Sequence, residues 1–569
     1  MKRWSLLNLP DKRTVQELAD AIQVSVPLAT LLVQRGVTTF DSAKGFFRPS
    51  LDMLHDPFLM KDMHKAVSRI SRAIQQNESI MIFGDYDVDG TTSVAMVYDY
   101  LRQYHHHLHF YVPDRYSEGY GISKKGIDTA KDLGVTLMIS LDCGIKSVDL
   151  IAYAQTLNID FIICDHHLPD EELPPAVAIL DPKQPDCEYP YKELSGCGVG
   201  FKLLQALTST MKWDEAQLLQ RLDFVAISTC ADIVPITGEN RVLTFYGLKI
   251  INDSPRPGLQ AMIDVMGYKP PIDVQKVVFG FAPRINAAGR IEHAMYAVQL
   301  LLAQTKQQAN DLVEVVNKYN IERKGADETI TMEALDMIQK LNQSKEYVST
   351  VLYKEDWNKG VIGIVASRCI EQYHRPTIIL TQSNGKVAGS ARSVPGFDLH
   401  EAIGKCSDLL IQYGGHKYAA GLTMHTEKID AFREKFNEVV KSSISPELLI
   451  PSIIVDLELD LKDISLRFYN ILKQMAPFGP CNMQPVFVSR KVLLAKPPQL
   501  MKDKHVKLYV QQEESEIFEA VGFNMGSYFP SLMTGSKMDI CYSVAENDFN
   551  NKKSLQLMLR DVQITDKVS

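Results

Sequence analysis

No excess of basic charge marks this chain. Its 61 Lys and Arg are outnumbered by 69 Asp and Glu, for a formal net charge of -8. A uniformly basic surface that would coat nucleic acid or an anionic membrane is therefore excluded, although a local basic channel is not. No apolar run reaches the roughly 18 residues that a membrane-spanning helix needs. The opening MKRWSLLNLPDKRTV has too short an apolar patch before Pro10 to read as a secretory signal. The nine cysteines show neither a CxxC pair nor zinc-like spacing, which suits buried thiols of a reducing compartment. There is no GxxxxGK[ST] loop and no G-x-S-x-G elbow, so neither ATP-driven chemistry nor a serine hydrolase has support. Gly196-Cys197-Gly198-Val199-Gly200 lacks the GxGxxG spacing and reads as a helix-packing segment. Internal repeats and low-complexity tracts are also missing.

What is present is ordinary for a folded chain, with 45% hydrophobic and 23% charged residues among 569. At roughly 150 residues per domain this allows about four domains. The expected protein is soluble and cytoplasmic, with no membrane partner. Residues 1–60 carry a helical pattern from Val15 to Arg35 and read as an N-terminal cap. From 61 to 240, near-continuous apolar strands (Ser79–Phe83, Leu108–Val112, Val135–Ile139, Phe161–Cys164, Ala176–Leu180) alternate with helical stretches, Thr91–Gln103 first among them. That is the pattern of a buried parallel sheet. Residues 241–345 are mostly helical, and Gln307–Leu341, interrupted only by Gly325, is long enough to bridge two lobes. An α/β pattern returns over 346–445, and short β-strands dominate 446–569. Five or so strands with one helix near Ile464–Met475 suit a small OB-like barrel. The fold class is thus α/β: a parallel-sheet domain, a long helical connector, a smaller α/β domain and a C-terminal barrel.

The strongest motif is Gly84-Asp85-Tyr86-Asp87-Val88-Asp89-Gly90, between an apolar strand and a helix. On extended backbone, alternate side chains point the same way, so Asp85, Asp87 and Asp89 are expected to converge. Carboxylates that close repel one another unless a cation lies between them. A solvated acidic turn is the plain alternative. An EF-hand is not, because loop position 12, which needs Glu, is Met96. Asp142 in Leu141-Asp142-Cys143-Gly144 and the run Asp165-His166-His167 also follow apolar strands, and Asp232 ends a helix that begins near Leu218. Ligands of parallel sheets sit beyond the strands' carboxyl ends. The cluster His105-His106-His107 with His109 has no carboxylate neighbours and reads as surface. Aspartates with imidazole suit Mn2+ or Mg2+, and a site this acidic has room for two ions that activate water and clamp a phosphoryl oxygen.

Asp85-Tyr86-Asp87-Val88-Asp89-Gly90, Asp142-Cys143-Gly144, Asp165-His166-His167 and Ala231-Asp232 resemble the ordered motifs of the DHH phosphoesterase superfamily. Ser117-Glu118-Gly119-Tyr120-Gly121 after Pro113-Asp114-Arg115, the stretch Arg284–Arg290, and Gly414-Gly415-His416, which is similar to a DHHA1 loop, narrow the resemblance to the RecJ family. Its members are bacterial exonucleases specific for single-stranded DNA. The motifs run in order from Asp85 to His416, and with the β domain they cover nearly the whole chain. The resemblance implies that Asp85, Asp87 and Asp89 occupy the first metal motif, Asp87 and Asp89 as ligands above all. It implies that Asp142 bridges two ions and that His166 and Asp232 complete the set. His167 would contact the scissile phosphate or orient its neighbour, and Asp165 would support the imidazoles. The reaction implied is in-line hydrolysis of single-stranded DNA from a 5′ end to 5′-mononucleotides, in DNA repair and recombination. A helicase and a single-stranded-DNA-binding protein would be partners of a monomeric enzyme.

Ser390 and Arg392 in Gly389-Ser390-Ala391-Arg392-Ser393 form a plausible pocket for a terminal phosphate, which the resemblance places opposite the metals. Gly414 and Gly415 allow close approach of a ligand, and His416 adds a donor. Arg115, Arg284 and Arg290 are further candidate phosphate contacts, any of which could instead form an interdomain salt bridge, Arg284 included. In the barrel, Arg490, Lys491, Lys496, Lys502, Lys504 and Lys507 face one acid, Asp503, and Tyr509 is a candidate stacking residue; these read as a strand-tracking face or as solvated surface. Two other functions fit less of the chain. A phosphodiesterase of oligonucleotides or cyclic dinucleotides, or a pyrophosphatase, would account only for the two α/β domains. A non-catalytic subunit of a replication complex would have eroded ligands.

Overall fold

The computed structural model describes residues 2–344, 347–549 and 552–567. They form two compact units, one of Pro57–Asp232 with Lys249–Pro451, the other of Met1–Asp56, Ile233–Leu248 and Ser452–Ser569. No helix among the described residues is long and apolar enough to cross a membrane.

In the larger unit, strands β1 (Ser79–Gly84), β2 (Leu108–Tyr111), β3 (Val135–Leu141), β4 (Asp160–Cys164) and β5 (Ala178–Leu180) pair in parallel in the order β2-β1-β3-β4-β5. In the three central strands every residue but Ser79, Thr136 and Asp160 is buried, because helices cover both faces, whereas the edge strand β2 is half-buried from His109 onward. The order reverses between β1 and β3, which opens a crevice at their carboxyl ends. Helix α1 (Val88–Leu101) leaves β1 through that crevice. It begins at Val88 rather than at Thr91, because Asp87 caps it by accepting a hydrogen bond from Gly90 N at 3.0 Å. The three aspartates therefore occupy a strand end, a cap and a first helical turn, not an extended run as the alternation suggested.

Helices α2 (Gly196–Met211) and α3 (Leu222–Ala231) pack on α1. The single helix expected from Leu218 is two, Glu215–Leu219 and α3, with Asp232 as the C-cap of the second. After α4 (Ala282–Ile291), α5 (Lys306–Ser344) runs unbroken through Gly325 and is the long connector. Ile330, Ala334 and Ile338 of α5 pack on Val365, Ala366 and Cys369 of α6 (Ile362–Tyr373). A second sheet holds β6 (Thr350–Tyr353), β7 (Thr377–Ser383), β8 (Lys386–Arg392), β9 (Gln412–His416) and β10 (Ala419–Met424), in the order β9-β10-β8-β7-β6. Only the β6–β7 pair is parallel.

In the smaller unit, β11 (Phe487–Met501), β12 (His505–Gln511), β13 (Phe518–Gly522), β14 (Gly535–Phe549) and β15 (Lys552–Lys567) form a closed five-stranded barrel, because β14 pairs with both β15 and β11. Strand β13 had no clear sequence signal. The helix expected over Val15–Arg35 is two, Lys12–Ile22 and Val26–Gln34. Gln23 breaks it in the left-handed region at φ 57°, and Ser25 with Pro27 starts the next. Leu18, Leu28, Leu31 and Leu32 of these helices share one apolar core with Phe468, Phe487 and Tyr542, so the N-terminal segment and the barrel are one folding body. Buried Arg241 ties in the third segment by donating to the carbonyls of Phe46, Met475 and Ala476.

Candidate metal centre

Asp85 follows β1, Asp142 follows β3 and Asp165 follows β4, so each lies at the carboxyl edge of the first sheet. Asp142 adopts left-handed backbone at φ 61°, and its amide donates to Cys164 O at 2.9 Å. Such a conformation costs of order 1–3 kcal/mol, and it persists where surrounding structure enforces it. His166 Nε2 lies 3.2 Å from an Asp142 oxygen, 3.6 Å from Asp232 and 3.7 Å from Asp89. Ligands of one octahedral ion at about 2.1 Å stand about 3 Å apart, so these spacings fit a shared cation. Two triples, Asp89–His166–Asp232 and Asp142–His166–His167, each gather their ligand atoms within 4.8 Å, and they share His166. Asp85 and Asp87 stand outside both triples but press on them electrostatically.

Burial pushes the carboxyls of Asp85 and Asp142 well up, and neighbouring carboxylates push them further. Asp87 shifts in the same direction, and Asp232 rises to about 8, by burial first and then by Asp89 and Asp87. Asp85 Oδ2 and both ring nitrogens of His166 are buried without a hydrogen-bond partner. Orphaned acceptors, a neutral imidazole and mutually repelling carboxylates, with no thiolate among the candidate ligands, suit a hard divalent cation. The donor set fits Mn2+ or Mg2+.

Sequence reading missed the residues that hold Asp89. Its Oδ2 accepts from Gly196 N at 2.7 Å, and its Oδ1 accepts from Cys197 N at 2.8 Å and from Ser228 Oγ at 2.6 Å. The N-terminus of α2 thus fixes the carboxylate with backbone donors and its dipole. A Cβ at Gly196 would stand 2.6 Å from Asp142 Cβ. The glycine-rich segment is helix packing, as expected, but what it packs against is the acidic cluster. Its run of three glycines at alternate positions was the available signal.

Asp165 accepts from Ile145 N, His166 N and His167 N, and pairs with His167 Nδ1 at 2.7 Å. Burial would raise it, yet His167 and these donors hold it down to about 2. His167 rises to about 9, because the hydrogen bond and charge of Asp165 outweigh burial. With its lone pairs so engaged, Asp165 orients the His167 imidazole rather than offering a ligand. The ring of His416, on β9, lies parallel to that of His167 at 6.3 Å, so the second sheet reaches the centre. Gly415 has φ +139°, and a Cβ there would meet Ala419 O at 2.4 Å; at Gly414 nothing lies within 4 Å.

Arg115, Arg290 and Arg392 form a second charged group, with no Asp or Glu in ion-pair distance among the described residues. Arg392 Nη1 donates to Ser390 Oγ at 3.2 Å and Ala391 O at 2.8 Å, and Arg290 Nη1 to Gly360 O at 2.8 Å. Burial lowers Arg290 to about 9 and also lowers Arg392, and the nearby Arg115 lowers both further. Arg284 is elsewhere: its Nε donates to Asn317 on α5 and its Nη1 to Gly280 O. The structure joins it to the connector instead of to the other arginines, and not through a salt bridge. In the barrel, Arg490 pairs with Asp539 and Glu458, and Lys507 with Glu519. Tyr509 lies under Lys496 at 4.5 Å. The basic stretch is therefore partly neutralised, which leaves Lys491, Lys496, Lys502 and Lys504 as its cations without an ion pair among the described residues. His105 is buried with Nε2 2.7 Å from Glu78 O, a structural role.

The family model for the DHH family, N-terminal domain, matches residues 79–229; that for the DHHA1 domain matches 344–442, and that for the RecJ OB domain matches 455–561. The chain is 37% identical to the single-stranded-DNA-specific exonuclease RecJ of Bacillus subtilis, over 99% of this chain and 71% of that one. It is 31% identical to the enzyme of the same name from Escherichia coli, over 97% and 98%. A crystal structure of RecJ from Thermus thermophilus in complex with Mn2+ matches with a TM-score of 0.86 at 26% identity, covering 100% of this chain and 80% of that one. A complex of the same protein with Mg2+ matches at 0.79 and 25% identity, over 99% and 78%.

Proposed function

The chain belongs to the RecJ family, and from that premise we propose that it is a Mn2+- or Mg2+-dependent exonuclease that hydrolyses single-stranded DNA from a 5′ end. One observation carries the reading. The same unit holds a buried acidic group whose carboxylates repel one another and so call for a cation, and a half-buried arginine group, with no Asp or Glu in ion-pair distance among the described residues, that calls for an anion. A nucleic-acid end with divalent ions supplies both.

Asp87, Asp89, Asp142, His166 and Asp232 would hold two ions, with Asp85 adding charge. Bound there, the metal supplies an activated water and neutralises charge on the phosphoryl oxygens. The residues do the rest. The α2 N-terminus and Ser228 hold the Asp89 carboxylate in place. Protonated His167, anchored on Asp165, offers Nε2–H to a phosphate oxygen or to the departing group. Arg115, Arg290 and Arg392 with Ser390 would clamp the terminal 5′-phosphate, which sets polarity and makes 5′-mononucleotides the product. Gly414, Gly415 and His416 would close over the terminal nucleotide. The barrel would track the strand through its free lysines. The protein works as a monomer in the cytoplasm, in DNA repair and recombination, with a helicase supplying unwound ends and a single-stranded-DNA-binding protein guarding them. The three domains are 61–240, 346–445 and 446–569, with a cap over 1–60 and the connector over 241–345.

Purified protein with Mn2+ is incubated with 5′-labelled and 3′-labelled single strands, duplex and a dinucleotide. Early loss of the 5′ label alone, with duplex spared, is the expected result, and D87A and D142A should each abolish it. Preferential cleavage of the dinucleotide would instead make the chain a phosphodiesterase of short oligonucleotides, and nuclease activity surviving both substitutions would refute the site.

A further inference from the structure

A row of rings links the arginine group to the acidic group. The Arg115 guanidinium lies 4.6 Å from the Tyr86 ring centroid. Tyr86 meets Tyr120 edge-on at 6.4 Å, and Tyr120 meets His167 edge-on at 6.1 Å. The Tyr120 hydroxyl is 3.3 Å from His167 Nε2 and donates to Asp142 O at 3.4 Å. Its backbone is set between Gly119 and Gly121, with φ of +88° and +76°, and Gly121 N donates to Asp85 Oδ1. Although its hydroxyl and both flanks are fixed, Tyr120 is 57% exposed. An exposed aromatic ring held at its tip has little freedom to lose when something stacks on it.

This inference rests on the proposed function. If one phosphate sits on the arginines and the next at the acids, the nucleoside joining them lies along Tyr86 and Tyr120. Arg115 already covers Tyr86. We propose that Tyr120 is the platform on which the base of the 5′-terminal nucleotide stacks, so that the site requires a base there but does not discriminate among bases. Every base has a π-face, which makes stacking tolerant of sequence.

The test measures binding, by fluorescence anisotropy, of the full chain carrying D142A. One probe is a 5′-phosphorylated single strand, and the other is the same strand with an abasic residue at its 5′ end. The D142A chain should bind the complete strand about tenfold more tightly, a difference of about 1.4 kcal/mol. Adding Y120L should weaken binding of the complete strand by about the same factor and change the abasic strand by less than about twofold, and Y120F and Y120W should restore the difference. Equal loss on both strands, or a D142A chain indifferent to the missing base, overturns the proposal; the second readout needs no change at Tyr120 and so survives a misfolded Y120L. Failure of the exonuclease reading is seen separately, as absence of Mn2+-dependent release by the native chain.

Discussion

Asp165 shows how one side chain serves several others. Its oxygens are taken by the amides of Ile145, His166 and His167 and by His167 Nδ1. D165N keeps the shape and removes the charge that holds His167 at about 9. We expect an approximately 10- to 100-fold weaker Mn2+ requirement curve, read as the Mn2+ concentration for half-maximal nuclease activity, with unchanged far-UV circular dichroism. Gly196 acts by being small. G196A puts a methyl 2.6 Å from Asp142 Cβ, so the carboxylate must move. We expect a stability loss of about 1–3 kcal/mol in thermal unfolding and near-complete loss of activity. Asp165 and its histidines were readable from a strand followed by polar residues. Gly196 and Ser228 were not, because their partners lie 107 and 139 residues away in the chain.

At the scale of elements, the β9–β10 hairpin carries His416 to the centre. Its two glycines have different duties. Gly415 is held at φ +139° against Ala419 O, whereas Gly414 faces open space. G415A should therefore lower thermal stability by about 1–3 kcal/mol. G414A should leave the melting temperature within a degree or so of native, and any rise in KM it causes then reports ligand contact alone. Apolar strands announced themselves by composition, and each of the five in the first sheet lies where its run does. Helix starts did not. Asp87 begins α1 early, and Gln23 with Pro27 splits the first helix, because caps and left-handed residues are single positions that periodicity averages away. Strand β13 escaped notice because it pairs with β12 and β15 without a strong pattern of its own.

For the molecule as a whole, the acidic group links folding to pH and metal. A carboxyl raised in the folded state, as Asp232 is from 3.8 to about 8, stabilises the fold while protonated, and that stability is lost as pH rises through the folded value. Asp85 and Asp142 act in the same direction. His167 adds stability that is full below its ordinary 6.5 and is lost through about 9. Metal-free protein should therefore melt at progressively lower temperature from about pH 5 to about pH 9, and Mn2+ should raise the melting temperature more at pH 8 than at pH 6. Differential scanning calorimetry with EDTA or MnCl2 measures both; a Mn2+ shift independent of pH would contradict the carboxylate assignment. The net charge of -8 belongs to the same account, since several of its acids are gathered where a cation offsets them. The sequence by itself determined the layered α/β plan, the barrel and the acidic and imidazole positions, because strand runs and the residues that end them are local. Only the tertiary structure decided that α2 clamps Asp89, that Arg284 joins the connector, that Glu519 and Asp539 neutralise part of the basic stretch, and that Tyr120 stands open between two charged groups. Those outcomes depend on which distant side chains meet, and a linear pattern does not encode distance in space.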